Sequence, residues 1–304
     1  MNQELEIVPD SERRGLIGAL PQALRPYASL MRLDRPIGAW LLFWPGAWGV
    51  ALAGLGSEGI ALILWLGLGA WAMRSAGCVY NDLVDRDLDR RVERTRLRPL
   101  ASGRVTPAGA CVLIAILCLV GLIVLLQLRP VAQIIALASL APVALYPFMK
   151  RITWWPQAWL GLVFSWAALV GWAAVAGRLD PAGLLLYAGS IAWVIGYDTI
   201  YALQDREDDA LAGVKSSALA LGRNARQGVA GFYLVALLLW GAAIWQVRPQ
   251  LLAVVALLPM ALHLGWQVVD LRADDEQDAL TKFRSNRFAG LLMFLACLVV
   301  GTAG

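Results

Sequence analysis

The sequence predicts an all-α membrane protein of nine transmembrane helices, with its N-terminus cytoplasmic and its C-terminus periplasmic. Three observations predict it. Apolar residues make up 59% of the 304 residues and charged ones only 16%, against about 25% charged in soluble domains. A soluble fold of this length would leave large apolar patches in water. Apolar stretches near the roughly 20 residues that cross a bilayer recur along the chain. Lys and Arg are concentrated in alternate connections.

In order, residues 1–30 are a polar leader, with no short apolar core or small-residue cleavage site to suggest a signal peptide. Residues 31–304 form a single polytopic membrane domain. Its predicted spans run over 36–54, 60–80, 108–128, 131–149, 156–176, 182–203, 228–246, 250–269 and 287–303. Turn signals separate them: "GLGSEG" at 54–59, "LRP" at 128–130, "GRLDP" at 177–181 and "VRPQ" at 247–250. Of the 26 Lys and Arg residues, 22 lie in segments 1–35, 81–107, 150–155, 204–227 and 270–287. The opposite side holds Arg129, Arg178 and Arg248, and Arg74 lies inside the second span. Positive charge stays on the cytoplasmic side, which orients the chain. Cys78, Cys111, Cys118 and Cys297 are scattered through apolar stretches without metal or disulfide spacing. The bilayer is the surrounding medium. The pattern points to no nucleic-acid partner, and no protein partner is readable in it.

Polar chemistry gathers at two cytoplasmic span ends. In "VYNDLVDRDLDRR" (79–91), Asn81, Asp85 and Asp89 are spaced i, i+4, i+8 and share a helical face, with Asp82 beside them. Asp87 falls off that face and is expected to be dispensable. In "YDTIYALQDREDD" (197–209), Asp198, Asp205 and Asp209 fall at i, i+7, i+11, again on one face, with Tyr201 between them. Carboxylates four apart repel, and near a membrane boundary desolvation raises the cost. Two compensations are open. One is the nearby arginines Arg86, Arg90, Arg91, Arg94, Arg96 and Arg98, in a solvated salt-bridge network. The other is a divalent cation. The hard oxygen donors suit Mg²⁺, and the lack of His or Cys argues against zinc. Such an ion usually completes its shell with water and substrate phosphates. Arg74, Lys150, Arg151 and Lys215 are basic groups suited to phosphate oxygens; intramembrane Arg74 needs a partner.

These residues resemble the UbiA superfamily of intramembrane prenyltransferases. "NDLVDRDLD" is similar to its NDxxDxxxD motif, and "YALQDREDD" to its second motif, YAxxDxxDD. "RLDRPIGAWLLFWP" (32–45), "RPLASG" (98–103), "YPFMKRITWWPQ" (146–157) and "GVKSSALALG" (213–222) resemble the 4-hydroxybenzoate polyprenyltransferase branch. The resemblance implies nine helices around a central cavity that opens to lipid, and Mg²⁺ joining the two Asp motifs through a diphosphate. It implies transfer of a polyprenyl group from polyprenyl diphosphate to a ring carbon of 4-hydroxybenzoate, ortho to the hydroxyl, in ubiquinone biosynthesis.

On that reading Asn81, Asp82, Asp85, Asp89, Asp205 and Asp209 hold the metal. Arg74, Lys150 and Lys215 add donors to the diphosphate. Tyr146 and Tyr201 offer π-faces to an allylic cation, Arg35 or Arg151 binds the benzoate carboxylate, and Asp198 orients or deprotonates the phenol. His263 reads as a helix-packing hydrogen-bond partner. The expected location is a bacterial inner membrane, with the site facing the cytoplasm. Other acceptors (naphthoate, homogentisate, a porphyrin) are alternatives. A secondary transporter is the reading from another class; acids at one rim and the lack of a good inverted repeat argue against it. A phosphotransferase acting on nucleotide-activated alcohols would need DGxxAR, which does not occur.

Overall fold

The computed structural model describes residues 14–91, 95–204, 206 and 215–302, with the backbone alone for 14–16 and 150. Among the described residues every regular element is helical: α1 Arg14–Ala19, α2 Arg25–Leu30, α3 Ile37–Leu52, α4 Gly59–Val84, α5 Arg86–Asp89, α6 Pro107–Leu125, α7 Pro130–Ala138, α8 Leu140–Ile152, α9 Pro156–Ala176, α10 Pro181–Ala202, α11 Ser217–Leu221, a 3₁₀ turn Gly222–Asn224, α12 Ala225–Val247, α13 Leu251–Val255, α14 Leu258–Val269 and α15 Glu276–Thr302.

Among the described residues, eight helical segments are long and apolar enough to cross a membrane: Gly59–Val84, Pro107–Leu125, Pro130–Met149, Pro156–Ala176, Pro181–Ala202, Ser217–Val247, Leu251–Val269 and Glu276–Thr302. They coincide with eight of the nine predicted spans. The other, α3, has 16 residues. At 1.5 Å per residue it reaches about 24 Å, short of the roughly 30 Å hydrocarbon layer. Beyond it, Gly54 and Gly56 adopt positive φ values of 104° and 53°, conformations that break helical continuation.

Local chemistry explains the boundaries. Proline opens α7, α9 and α10, where its missing N–H costs nothing. The Asp180 carboxylate caps α10 by accepting from the Gly183 N–H at 3.4 Å. Gly177, at φ 70°, closes α9 in the left-handed conformation. The stretch from Pro130 is broken at Ser139, whose hydroxyl donates back to the Ala136 carbonyl at 2.6 Å. The last helix begins at Glu276, well before the predicted 287. Asp275 caps it by accepting from the Gln277 and Asp278 N–H groups. Lys282 within it is neutralised by Asp270 at 2.6 Å and Asp278 at 2.9 Å.

The chain divides into two compact units, residues 1–40 with 68–124 and residues 41–67 with 125–304. In the first, Leu30, Val79, Leu100, Val105 and Ala110 form a buried core flanked by Tyr27, Leu83 and Leu113. The last residues of the leader therefore contribute to the core, since α2 buries Leu30 completely. In the second, α10 packs along α9 and α12. Its core centres on Trp48, Trp193 and Trp240, all fully buried, with ring centroids 5.0 to 6.3 Å apart. Large apolar side chains also face outward, among them Leu64, Ile134, Leu238 and Leu252, as lipid-facing helices require.

Candidate active site

The first acidic motif lies where α4 gives way to α5. Asp85 sits between them at φ −90°, ψ 1°. The helical bonds nevertheless carry through: the Asp85 N–H donates to the Asn81 carbonyl at 2.9 Å, and the Asp89 N–H to the Asp85 carbonyl at 2.8 Å. Asn81, Asp85 and Asp89 therefore keep the stacked register that their spacing predicts. Asp82, Asp85 and Asp89 are 1%, 0% and 6% exposed. Asp87 is exposed and pairs with Arg90 at 3.6 Å.

Three carboxylates cannot be buried without positive charge nearby. Arg32 Nη2 lies 2.8 Å from both oxygens of Asp82. Arg98 Nη1 bridges Asp82 at 3.2 Å and Asp89 at 3.0 Å. Burial pushes the Asp89 carboxyl above its ordinary value of 3.8; Arg98 pulls it down, and Asp82 and Asp85 push it up again, with a net upward shift. Asp89 thus sits where more positive charge would be favourable. That is a fit to Mg²⁺: dehydrated carboxylate oxygens, with a guanidinium already standing in as the cation. Among the described residues no three His, Cys, Asp or Glu side chains are gathered as a metal cluster. Asp82 is held by arginine, and Asp205 and Asp209 lie outside the described residues.

Beside the motif, in the same unit, a cavity of about 190 Å³ is lined by Arg32, Arg35, Arg74, Trp71 and Ser75, with Met31, Leu33, Pro36 and Ala39. Three guanidiniums and one indole around one small volume suit a planar anion. Arg35 pairs with buried Asp34 at 3.2 Å. Arg74 contacts Cys78 and lies along Gly38, where a Cβ would come within 2.6 Å of its Nε. Gly38 therefore makes room for the Arg74 side chain.

The other predicted residues lie in the second unit. Asp198 and Tyr201 are half-buried on the last turns of α10, and the Tyr201 ring packs on Phe283 at 4.6 Å. Tyr146 is half-buried and Arg151 exposed on α8. Lys150 lies on α8, with its side chain outside the described atoms. Lys215 donates to the Ile152 carbonyl at 3.2 Å and lies over the Trp154 ring, which brings it beside the C-terminal end of α8. A buried clamp sets the chain after Lys215: the Ser217 N–H donates to Gln157 Oε1 at 2.9 Å, and the Ser217 hydroxyl meets Thr199 Oγ1 at 2.7 Å.

Sequence reasoning did not single out Arg32, Asp34 or the Gln157–Thr199–Ser217 clamp. Arg32 had one signal, its place at the head of "RLDRPIGAW". Its backbone at φ 57°, a left-handed conformation uncommon outside glycine, left no mark in the sequence.

Residues 42–298 match the model of the UbiA prenyltransferase family. The mitochondrial 4-hydroxybenzoate polyprenyltransferase of Drosophila melanogaster is 45% identical over 93% of this chain and 73% of its own length. That of Caenorhabditis elegans is 42% identical over 96% of this chain and 82% of its own. A 4-hydroxybenzoate geranyltransferase of Lithospermum erythrorhizon is 44% identical over 92% of each chain. Among solved structures, the fold is similar to that of an apo UbiA homologue from Aeropyrum pernix K1, with a TM-score of 0.70 at 24% identity over 86% of this chain and 97% of that one. It is also similar to a UbiA homologue from Archaeoglobus fulgidus bound to GPP and Mg²⁺, with a TM-score of 0.66 at 16% identity over 91% and 99%.

The bacterial inner membrane expected from the sequence is contradicted by these relatives, which include enzymes named as mitochondrial in flies, a nematode, rodents and a plant. The physical reason for the error is that Lys and Arg asymmetry reports sidedness but carries no mark of the organelle. On sequence and fold together, the chain belongs to the UbiA prenyltransferase family.

Proposed function

We infer that this protein transfers a polyprenyl group from its diphosphate to a ring carbon of 4-hydroxybenzoate, ortho to the hydroxyl, releasing diphosphate. The reaction serves ubiquinone biosynthesis. The observation that carries the reading is identity of 42 to 45% with the 4-hydroxybenzoate polyprenyltransferases over most of the chain. The relatives named for polyprenyl and for geranyl transfer differ in donor and share the acceptor, so the acceptor has more support than the chain length. The buried carboxylates and the arginine-lined cavity agree with a site that handles anions.

In the mechanism proposed, Asn81, Asp82, Asp85 and Asp89, with Asp205 and Asp209 of the second motif, hold Mg²⁺. Mg²⁺ held by these residues would supply positive charge against the departing diphosphate. Arg74, Lys150 and Lys215 donate to diphosphate oxygens. Arg35, on the cavity wall, receives the benzoate carboxylate, with Arg151 as the other candidate. Tyr146 and Tyr201 turn π-faces toward the allylic cation, and the apolar helices keep water from it. Asp198 orients the phenol hydroxyl or accepts its proton. The short helix α3 serves as the ninth membrane segment, and the Lys- and Arg-rich connections face the side from which the soluble substrate enters.

The test is product formation by membranes supplied with labelled 4-hydroxybenzoate, polyprenyl diphosphate and Mg²⁺. Label should move into the lipid phase. Substitution Arg35→Ala should raise KM for 4-hydroxybenzoate about tenfold or more, the scale of one lost charge-assisted contact. An unchanged KM removes Arg35 from the acceptor site.

A further inference from the structure

Given Mg²⁺ at the first acidic motif, we propose that Arg98 is a built-in counter-ion that competes with the divalent cation for Asp89. It is released from Asp89 when the cation binds. Asp82 and Asp89 are neutralised differently. Both oxygens of Asp82 are within 2.8 Å of Arg32 Nη2, so Asp82 has a close cationic partner without Arg98. The ion pair of Asp89 is with Arg98 Nη1, which that nitrogen divides with Asp82 at 3.2 Å. A metal ion on Asp89 and a guanidinium 3.0 Å from the same carboxylate would repel each other strongly in so buried a place. Departure of the arginine relieves that repulsion, and Arg98 holds Asp89 through Oδ2 alone, on a long, jointed side chain.

The backbone around Arg98 is fastened independently of its guanidinium. Leu100 is fully buried in the core of this unit. Arg90 Nε donates to the Ala101 carbonyl at 3.1 Å, and the Thr95 hydroxyl to the Asp89 carbonyl at 3.0 Å. The Ser102 N–H and hydroxyl both donate to the Arg98 carbonyl at 2.9 Å. The side chain can therefore swing away while the turn stays in place. Arg98 is already 29% exposed, so a path outward is open to it. Once freed, its fork of N–H donors is suited to diphosphate oxygens. The exchange would delay full exposure of the acidic site until a cation arrives, then supply a donor where the anionic substrate is bound.

The experiment is direct titration of the purified full-length protein with Mn²⁺ in the absence of substrate, followed by electron paramagnetic resonance of the free ion. Arg98→Gln should bind Mn²⁺ about tenfold more tightly than wild type, the scale of one removed competing contact. Arg98→Lys, which keeps the charge but has a shorter reach and lacks the planar fork, should fall between them. The gain should vanish when Arg98→Gln is combined with Asp89→Asn. Thermal unfolding of each variant establishes that it is folded, and Arg98→Lys carries the test if Arg98→Gln is not. Equal or weaker Mn²⁺ binding by the folded variants overturns the exchange and leaves the metal reading intact. A gain that persists with Asp89→Asn overturns Asp89 as the contested ligand. Lack of Mn²⁺ binding by wild type and variants alike overturns the metal reading, and the exchange with it.

Discussion

Each unit buries a polar cluster, and the two clusters are built on opposite terms. In the second unit the cluster is neutral. Trp193 Nε1 donates to Asn286 Oδ1 at 3.0 Å, the Tyr233 hydroxyl to Gln267 Oε1 at 2.6 Å, and Gln267 Nε2 to the Ser285 hydroxyl at 3.1 Å. His263 joins through Ser285 at 3.3 Å. These bonds cross-link α10, α12, α14 and α15, and they ask for no further ligand. In the first unit the cluster consists of carboxylates, and their balance depends on Arg32 and Arg98. Neutral polar groups that satisfy one another act as glue between membrane helices. Buried charges whose counter-ions are long side chains can change partners. Burial alone therefore does not mark a functional site; the kind of compensation does.

The largest expected break in this contrast comes from Asp85→Asn and Asp89→Asn. Each should lower prenyl transfer by about a thousandfold, the scale of a lost electrostatic contact to the transition state. Thermal unfolding should stay close to wild type, because an amide avoids the cost of burying charge. A matched fall in stability would make these acids structural. Next is Arg32→Ala, which leaves buried Asp82 with the 3.2 Å contact to Arg98 that it shares with Asp89. It should cost about 3 kcal/mol of stability, read as a lower unfolding midpoint, and Asp82→Asn in the same background should restore part of it.

In the neutral cluster, Gln267→Leu and Asn286→Leu should each cost about 2 kcal/mol by leaving buried donors without acceptors. Activity per folded molecule should stay within about twofold of wild type. A selective loss of activity would show that this cluster also serves the chemistry.

The smallest effects concern the solvated acid and the titration of Asp89. Exposed Asp87 should tolerate Asn with less than about a twofold change in rate, since surface pairs contribute little. Asp89 sits above its ordinary 3.8 because burial outweighs Arg98, so the folded chain holds that proton to higher pH than the unfolded chain. Its contribution to stability is complete below 3.8 and is lost as pH rises through the raised value. Acidification through that window should stabilise wild type relative to Asp89→Asn, and parallel curves would argue against the shift.

Much of this was legible in the sequence, for identifiable reasons. Apolar length located the spanning helices, and four-residue spacing placed Asn81, Asp85 and Asp89 in one stack even though α4 ends before Asp85. The early start of α15 was hidden because its first turns carry Asp278 and Lys282, which break an apolar pattern although the ion pairs with Asp270 and Asp278 allow Lys282 to be buried. The tie from Arg32 to Asp82 spans fifty residues and depends on a left-handed backbone at Arg32. Neither leaves a periodic trace. The clamp of Gln157, Thr199 and Ser217 is likewise a tertiary fact, made by residues that would be ordinary on their own helices.

The most direct measurement is transfer of a polyprenyl group to labelled 4-hydroxybenzoate by the purified protein in lipid, with Mg²⁺ or with a chelator. The account predicts a lipid-soluble prenylated product with the metal, almost none with the chelator, and loss of product in Asp85→Asn at full metal. Equal product formation with the chelator, or by Asp85→Asn, would contradict it.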